Sequence, residues 1–305
     1  WRIIHAKKIV IPVIFFVLSF HQLTAIGTRF LTIPSTPREV AMGGFSASFS
    51  GDAFLYHGNP ALVVQSAGTT LYFGYNTWLA GSRGSSFLLT NPLIGGVFGF
   101  GIRQLVLTDI EFRTTTPIDE YLSLFNASGT AVELVWGCRL NRLHIGATTR
   151  WIRTETYVYD ATGVGVDVGL WMPLLKNRLS VGASVQNIGT MSELMDKASE
   201  LPAAFLAGIT FQTSPLYKPS DSEIKSSITV SGEVSKFHGT VFRVSGEILH
   251  SAFRLTLGTR FSDRVTSVGA GVGIHWRRVE FGYGLEVGSH QLGIPHLFDF
   301  RITLP

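Results

Sequence analysis

Glycine patterns are the first places in this sequence to look for chemistry. Gly269-x-Gly271-x-Gly273 has the spacing of glycines that approach a dinucleotide phosphate. That motif, however, needs a turn from a strand into a helix. Apolar residues alternate with these glycines from 268 to 274, which indicates a strand whose small residues leave room in an interior. We therefore expect no nucleotide cofactor.

Serines and histidines raise the question of a hydrolase or a metal site. Gly44-x-Ser46-x-Ser48 lacks the second glycine of a nucleophile elbow and follows no predicted strand. Two dispersed histidines in one predicted outer loop make a poor metal site. The candidate partner histidines are scattered, and spacing ties none of them to a serine: His144, His238, His250, His275, His290 and His296. We expect no enzyme, no metal and no other cofactor.

The N-terminus has the layout of a secretory signal peptide. Arg2, Lys7 and Lys8 precede the apolar run Ile9–Phe20, and small residues follow before residue 28. This run has 12 residues, whereas a membrane-spanning helix needs about 20. We predict a signal peptide over residues 1–27, with a retained membrane anchor as the alternative.

Charge argues against a nucleic-acid partner. Lys and Arg number 25 and Asp and Glu 21, a net charge of +4. Three of the positive charges lie in the predicted signal, so about +1 remains without it. A phosphate backbone is bound by dense clusters of Lys and Arg, and no such cluster is present in residues 28–305.

The composition of the whole chain is typical of a membrane protein. Only 15% of residues are charged, and the chain holds 33 Gly and 22 Phe, whereas a soluble domain is about 25% charged. Near the C-terminus Phe298, Phe300 and Ile302 alternate with polar residues, a period of two that excludes a helix. Because lipid cannot satisfy free backbone groups, strands cross a membrane only as a closed barrel.

Alternation over the whole chain predicts an all-β, transmembrane antiparallel β-barrel in the outer membrane, occupying residues 69–305. Fourteen strands are predicted, at 69–78, 84–90, 94–105, 129–139, 142–155, 163–172, 178–187, 203–213, 226–235, 240–249, 252–262, 267–277, 278–288 and 296–304. With both termini in the periplasm, odd-numbered links point outward and should be long. Val106–Ser128, Thr156–Thr162 and Ile188–Pro202 fit, the last with a possible short helix at Ser192–Ala198. Ser214–Lys225 would be an unusually long periplasmic turn.

Charged residues in the predicted strands fall on the face opposite the apolar one. Arg or Lys facing mid-membrane lipid would cost about 2–4 kcal/mol, so this set is predicted to face the lumen. Two interpretations stay open, a network of ion pairs that fills the barrel and, because no ring of one sign appears, the less favoured selective pore. The predicted lumen set is Arg103, Glu133, Arg150, Asp167, Glu233, Arg243, Glu247, Arg254, Arg260, Glu280, Glu286, Asp299 and Arg301.

Residues 28–68 do not alternate and predict a short helical plug or periplasmic segment. Ser35 is the expected cap of a helix with Pro37 in its first turn, ended by Gly43 and Gly44. Arg38 and Asp52 are expected to form a salt bridge or a gate. The residues singled out in this segment are Pro34, Ser35, Arg38, Met42, Gly43, Gly44, Asp52, Asn59 and Pro60.

Those residues also carry a resemblance to a known family. The run Phe30-Leu31, Pro34-Ser35, Arg38, Ala41-Met42-Gly43-Gly44, Asp52 and Asn59-Pro60-Ala61-Leu62 resembles the N-terminal signature of the PorV/PorQ family. These are outer-membrane proteins of the type IX secretion system whose fold is similar to the FadL fatty-acid transporters. The Pro-Ser-x-x-Arg spacing is closer to the PorQ branch. The chain departs from PorV-like members at Thr36-Pro37 and from PorQ-like members at Gly58.

The resemblance implies a non-enzymatic barrel that anchors or shuttles a secreted or surface-attached protein partner through its outer loops, with outer-membrane lipid around it. The alternative is a FadL-like channel for hydrophobic small molecules, which should have an apolar pocket. Inward faces rich in Gly, Ser, Thr and paired charges favour a filled scaffold. Trp171, Phe30–Leu31 and Phe54–Leu55 are the residues expected to line any small cavity. A polar pore that conducts passively is a third option.

Overall fold

The computed structural model describes residues 27–113, 121–194, 197–213, 224–289 and 293–304. Except for Gly27, the predicted signal peptide lies outside the described residues. His290 lies outside them too, as does most of the predicted turn Ser214–Lys225.

Fourteen antiparallel strands form a closed barrel, as alternation predicts. The barrel closes where the first strand pairs with the last, from Thr70 opposite Thr303 to Thr77 opposite His296. Its strands are β1 (Thr70–Thr77), β2 (Arg83–Leu93), β3 (Gly96–Phe112), β4 (Ser123–Leu140), β5 (Leu143–Thr156), β6 (Tyr159–Leu174), β7 (Leu179–Met191), β10 (Ala204–Thr213), β11 (Ile224–Ser235), β12 (Gly239–His250), β13 (Phe253–Ser262), β14 (Thr266–Trp276), β15 (Val279–Gly288) and β16 (His296–Thr303). Two short strands, β8 (Glu193–Leu194) and β9 (Lys197–Ala198), pair outside the barrel.

Three predicted links differ from the structure. Thr156–Thr162 is a two-residue turn, because β6 begins at Tyr159 and pairs directly with β5. Most of Val106–Ser128 is strand, because β3 continues to Phe112 and β4 begins at Ser123, with a register shift between Leu107 and Ile110. Polar Thr108 and Asp109 break the alternation there, although the backbone pairing continues to Phe112. The predicted helix at Ser192–Ala198 is wrong as well, since β8 and β9 form a small hairpin in its place.

The two faces of the barrel wall have opposite character. Leu255, Phe281 and Phe298 are about half exposed on the outside, where a bilayer would contact them. The inner face carries glycines, small hydroxyl residues and the buried charges. Among the described residues, no helix has the length and apolar character needed to span a membrane.

Residues 27–66 run through the barrel interior and are called the luminal segment below. The segment begins where Gly27 contacts Thr154 at one end of the barrel. It ends where the Ser66 hydroxyl lies 2.9 Å from that of Thr90 at the other end, beside the closing seam. Its helical parts are short: 3-10 turns at Thr28–Thr32, Ala53–His57 and Pro60–Gln65, and the α-helix α1 at Pro37–Ala41. Two further 3-10 turns, Leu79–Gly81 and Leu175–Asn177, lie in links between strands.

Helix α1 is capped by Thr36 and not, as predicted, by Ser35. The Thr36 hydroxyl accepts from the Glu39 N–H (3.1 Å), and the Glu39 carboxylate accepts from the Thr36 N–H (3.1 Å). This reciprocal capping box needs a glutamate three residues after the cap, and only Thr36 has one. The helix ends as expected, because Gly43 (φ +79°) and Gly44 (φ +123°) adopt backbone conformations that side chains disfavour.

Candidate functional site

Wall glycines bring the luminal segment into direct contact with the barrel. A Cβ atom on Gly182 would lie 1.9 Å from the Ala47 carbonyl oxygen, and one on Gly169 1.9 Å from Asn59 Oδ1. The Asn59 side chain donates to the carbonyls of Ala47 (2.7 Å) and Leu170 (2.8 Å), and so joins the segment to β6. Gly269 and Gly271 of β14 have the same use, since they lie against α1, whereas Gly273 makes room for the Arg254 side chain.

Arg38 attaches α1 to the wall on one side of the lumen. Its Nε donates to Glu247 on β12 (2.7 Å), and its Nη1 donates to Asp52 (3.0 Å). Asp52 also accepts from Arg301 on β16 (2.8 Å), which in turn pairs with Asp299 (2.8 Å). Burial disfavours the charged carboxylate, but the guanidinium groups of Arg301 and Arg38 outweigh it and hold the pKa of Asp52 well below its usual range.

Glu133 on β4 is the centre of a second attachment, across the lumen from the first. His57 Nε2 lies 3.0 Å from its carboxylate, and the Tyr56 hydroxyl donates to the same oxygen. Arg103 on β3 and Arg150 on β5 each place Nε 3.2 Å from the other oxygen. Burial lowers the pKa of His57 to about 4, so this imidazole is neutral at neutral pH. The segment is thus held by charge-assisted contacts on both sides.

Ser35, His57 and Glu133 are connected in the order of a hydrolase triad. Because His57 Nε2 faces Glu133, its Nδ1 accepts from the Ser35 hydroxyl at 2.8 Å. The imidazole is reversed relative to serine proteases, in which Nε2 meets the serine. Cavities next to Ser35 measure about 10 and 20 Å³, whereas ligand sites hold about 300 Å³ or more. We interpret the three residues as an attachment of the segment.

Glu39 makes this attachment sensitive to pH. Burial raises the pKa of Glu39 to about 7, against its hydrogen bonds from the backbone N–H groups of Ser35 and Thr36. The docked segment therefore keeps a proton that a released segment would lose. The free energy that protonated Glu39 contributes to docking of the segment is fully present below about pH 4.5. It is lost as the pH rises to 7. His57 acts oppositely, because its lowered pKa weakens docking as pH falls from 6.5 to 4.

In the variant Glu39→Gln, docking of the segment should no longer weaken between pH 4.5 and 7. The weakening at lower pH, which comes from His57, should remain. In the native chain, hydrogen-exchange protection of residues 36–42, corrected for intrinsic rates, should fall by up to about a hundredfold over that range. Protection that falls equally in the variant would show that Glu39 is not the titrating group.

A wide cavity, called the vestibule below, lies at the barrel end where β1 ends and β16 begins. It measures about 710 Å³ and is lined by the start of the luminal segment and by upper parts of the wall. One side, from β3 and β4, is apolar: Leu105, Leu107, Ile110 and Phe125. The opposite side carries Arg260 at the end of β13 and Glu286 on β15. Neither the position nor the size of this cavity follows from the sequence pattern.

The structure brings together many of the residues that the sequence analysis singles out, but in three groups. Pro34, Gly43, Gly44, Arg243 and Arg260 surround a cavity of about 20 Å³ under the vestibule, where Arg243 Nε donates to the Gly43 carbonyl (3.0 Å). Arg38, Asp52, Glu247, Asp299 and Arg301 form the first attachment; Glu133, Arg150 and Asp167 belong to the second. Pro60 and Met42 pack within the segment and its surroundings.

Several expectations about the lumen need correction. Phe30 borders the vestibule, but Leu31 packs against Ala131 and Ile152. Phe54 lines a cavity of about 120 Å³, as expected, whereas Leu55 and Trp171 share a packed cluster and line none of the cavities described here. Sequence reasoning also overlooks His57, Tyr56 and Glu39. The available signal is the Glu three residues after Thr36; nothing in the sequence indicates that His57 meets Glu133.

Comparisons with known proteins show the fold. No protein-family profile matches the chain, and no curated protein matches it. A solved structure described as the CymD monoaromatic hydrocarbon channel is 12% identical, with a TM-score of 0.61 over 90% of this chain and 98% of that one. A TodX monoaromatic hydrocarbon channel mutant lacking S2 and S3 is also 12% identical, with a TM-score of 0.61 over 88% of this chain and 99% of that one. The chain is an outer-membrane β-barrel.

Proposed function

We propose that this barrel is a channel for hydrophobic small molecules, kept closed by its luminal segment. The observation that carries the proposal is the vestibule of about 710 Å³, whose β3–β4 side is hydrocarbon. Ligand sites are concave and mostly apolar, with a few placed polar groups. The fold that this chain shares with two channels described as monoaromatic hydrocarbon channels supports the same reading.

The interior below the vestibule supports a closed state. Three cavities along the segment measure only about 10 to 20 Å³. A cavity of about 120 Å³ follows at the opposite end, around Asp52, Gln65 and Arg278. A molecule that enters the vestibule can cross only when the luminal segment shifts. The filled scaffold favoured by the sequence describes this lower part of the lumen and not the vestibule.

Uptake into proteoliposomes tests the proposal. The purified barrel should accelerate entry of radiolabelled toluene or fatty acid, and Leu107→Asn should slow that entry about tenfold, because a polar amide replaces apolar contact in the vestibule. Thr108→Asn is the matched control, since Thr108 is the exposed neighbour and does not line the cavity. Entry no faster than into empty vesicles would overturn the proposal.

The sequence resemblance supports a second candidate, an anchor for a surface protein of the type IX secretion system. The observation in its favour is the length of strands β3 to β6, which have 14 to 18 residues each and expose aromatic rings at one end. Phe112 and Tyr157 stack there with ring centroids 5.4 Å apart, and Tyr121 is half exposed. Replacing residues 113–122 by a short Gly-Ser turn spares the vestibule strands and should abolish co-purification of surface proteins. Unchanged co-purification would remove this candidate.

A further inference from the structure

The vestibule has two chemically different sides. The apolar residues on β3 and β4 lie opposite β13 in the closed strand order. On and near β13 stand Arg260 and Arg264, and Arg29 of the luminal segment also lines the cavity. Among the described lining residues, Glu286 is the single carboxylate facing three arginines. The cavity is therefore amphipathic, with a positive charge excess on one side.

Arg260 differs from the other inward arginines. Arg38, Arg150, Arg243, Arg254 and Arg301 each form an ion pair with a carboxylate. Arg260 forms neither an ion pair nor a hydrogen bond with any residue in the described ranges, and its Nε is buried without an acceptor. Buried polar groups are normally paired, and a guanidinium has five donors in a fork that fits a carboxylate. Arg260 is partly buried, Glu286 and Glu233 line the same small cavity without reaching ion-pair distance, and an anion with two oxygens would satisfy its free donors.

We propose that the vestibule binds hydrophobic organic acids, with the carboxylate on Arg260 and the apolar body against β3 and β4. This inference rests on the proposed function and narrows its substrate class to anionic amphiphiles. Arg260 also borders the small cavity beneath, together with Gly43 and Gly44, which lie directly after α1. A carboxylate held there sits at the point where the luminal segment blocks the lumen.

Binding is measured on the full barrel in detergent by fluorescence of Trp78, which lines the vestibule. The probes are two acids, benzoate and octanoate, and their neutral counterparts, benzyl alcohol and octanol. The native barrel should bind each acid more tightly than its alcohol. Arg260→Gln should weaken acid binding about tenfold or more and leave alcohol binding unchanged, because a charge-assisted pair is lost. Arg260→Lys should restore part of the preference.

Two further variants keep the test specific. Leu107→Asn should weaken acids and alcohols alike, since it alters the apolar side. Arg142→Gln, an exposed arginine in the turn between β4 and β5 at the other end, should change nothing. Heat-modifiable migration on gels shows that each variant folds.

Three outcomes would overturn the inference: equal affinity for acids and alcohols, acid affinity unchanged in Arg260→Gln, or displacement of octanoate by equimolar phosphate. In each of these cases uptake of toluene by the same preparation would leave the channel function standing. Absence of both uptake and binding would remove the channel function as well.

Discussion

Replacing Arg38 with methionine should release the luminal segment. The native barrel should pass no ionic current, whereas this variant should conduct ions. The substitution keeps much of the side-chain volume and removes the charge that pairs with Glu247 and Asp52. Asp52 retains Arg301, but Glu247 keeps only the Thr256 hydroxyl at 3.0 Å. Removing one partner of a buried ion pair costs about 3–5 kcal/mol, which is comparable to the docking of a short segment.

Planar bilayers measure this effect directly, with single-channel steps expected in Arg38→Met and none in the native barrel. Arg153→Met is the matched control, because Arg153 pairs with Glu155 on the exposed side of β5, where such a pair contributes less than about 1 kcal/mol. A variant that migrates as a folded barrel yet stays silent would show that the β12 attachment is dispensable for closure.

Adding one methyl group at Gly182 should have an effect of similar size. The new Cβ of Gly182→Ala would lie 1.9 Å from the Ala47 carbonyl oxygen, and a backbone atom cannot rotate away as a side chain can. Overpacking of this kind costs about 1–3 kcal/mol, and more where backbone is the obstacle. We expect the 45–60 stretch to leave the wall and become a substrate for proteases.

Gly246→Ala provides the comparison for this variant. A Cβ at Gly246 meets only the Ser227 carbonyl oxygen at 3.9 Å, an ordinary contact, so the same chemical change should leave the barrel intact and its segment protected. Limited proteolysis of the two variants side by side, followed by mass spectrometry, reads out residues 45–60. Equal protection in both variants would contradict the close approach of Ala47 to β7.

Strands were predictable from this sequence because lipid and lumen impose opposite demands on neighbouring residues. All fourteen were found, and β16 is the plainest, with Phe298 and Phe300 outward and Asp299 and Arg301 inward. The upper parts of β3 and β4 were not predicted because residues on both faces of the wall are at least partly exposed there, so polar and apolar residues need not alternate. Asp109 there adopts a positive φ of 59° and interrupts the pattern.

The candidate site was only partly predictable, for a different reason. The pairing of Arg38 with Asp52 was foreseeable, because charges of opposite sign are few in this largely apolar segment. The vestibule depends on how far the segment fills the barrel, which alternation does not encode. It also depends on Leu105, Leu107 and Phe125 meeting at one height on two strands, which requires the register of the sheet. The unpaired state of Arg260 is visible only in three dimensions.

The path of the luminal segment constrains how this protein can be assembled. The segment leads directly into β1, and β1 supplies half of the closing seam with β16, the final strand of the chain. Thirteen strands can pair in chain order around residues 27–66, but the cylinder is complete only when the C-terminal strand reaches the N-terminal one. The luminal segment is therefore enclosed at the same step in which β16 pairs with β1 and closes the barrel. A chain lacking β16 would leave the interior accessible from the side.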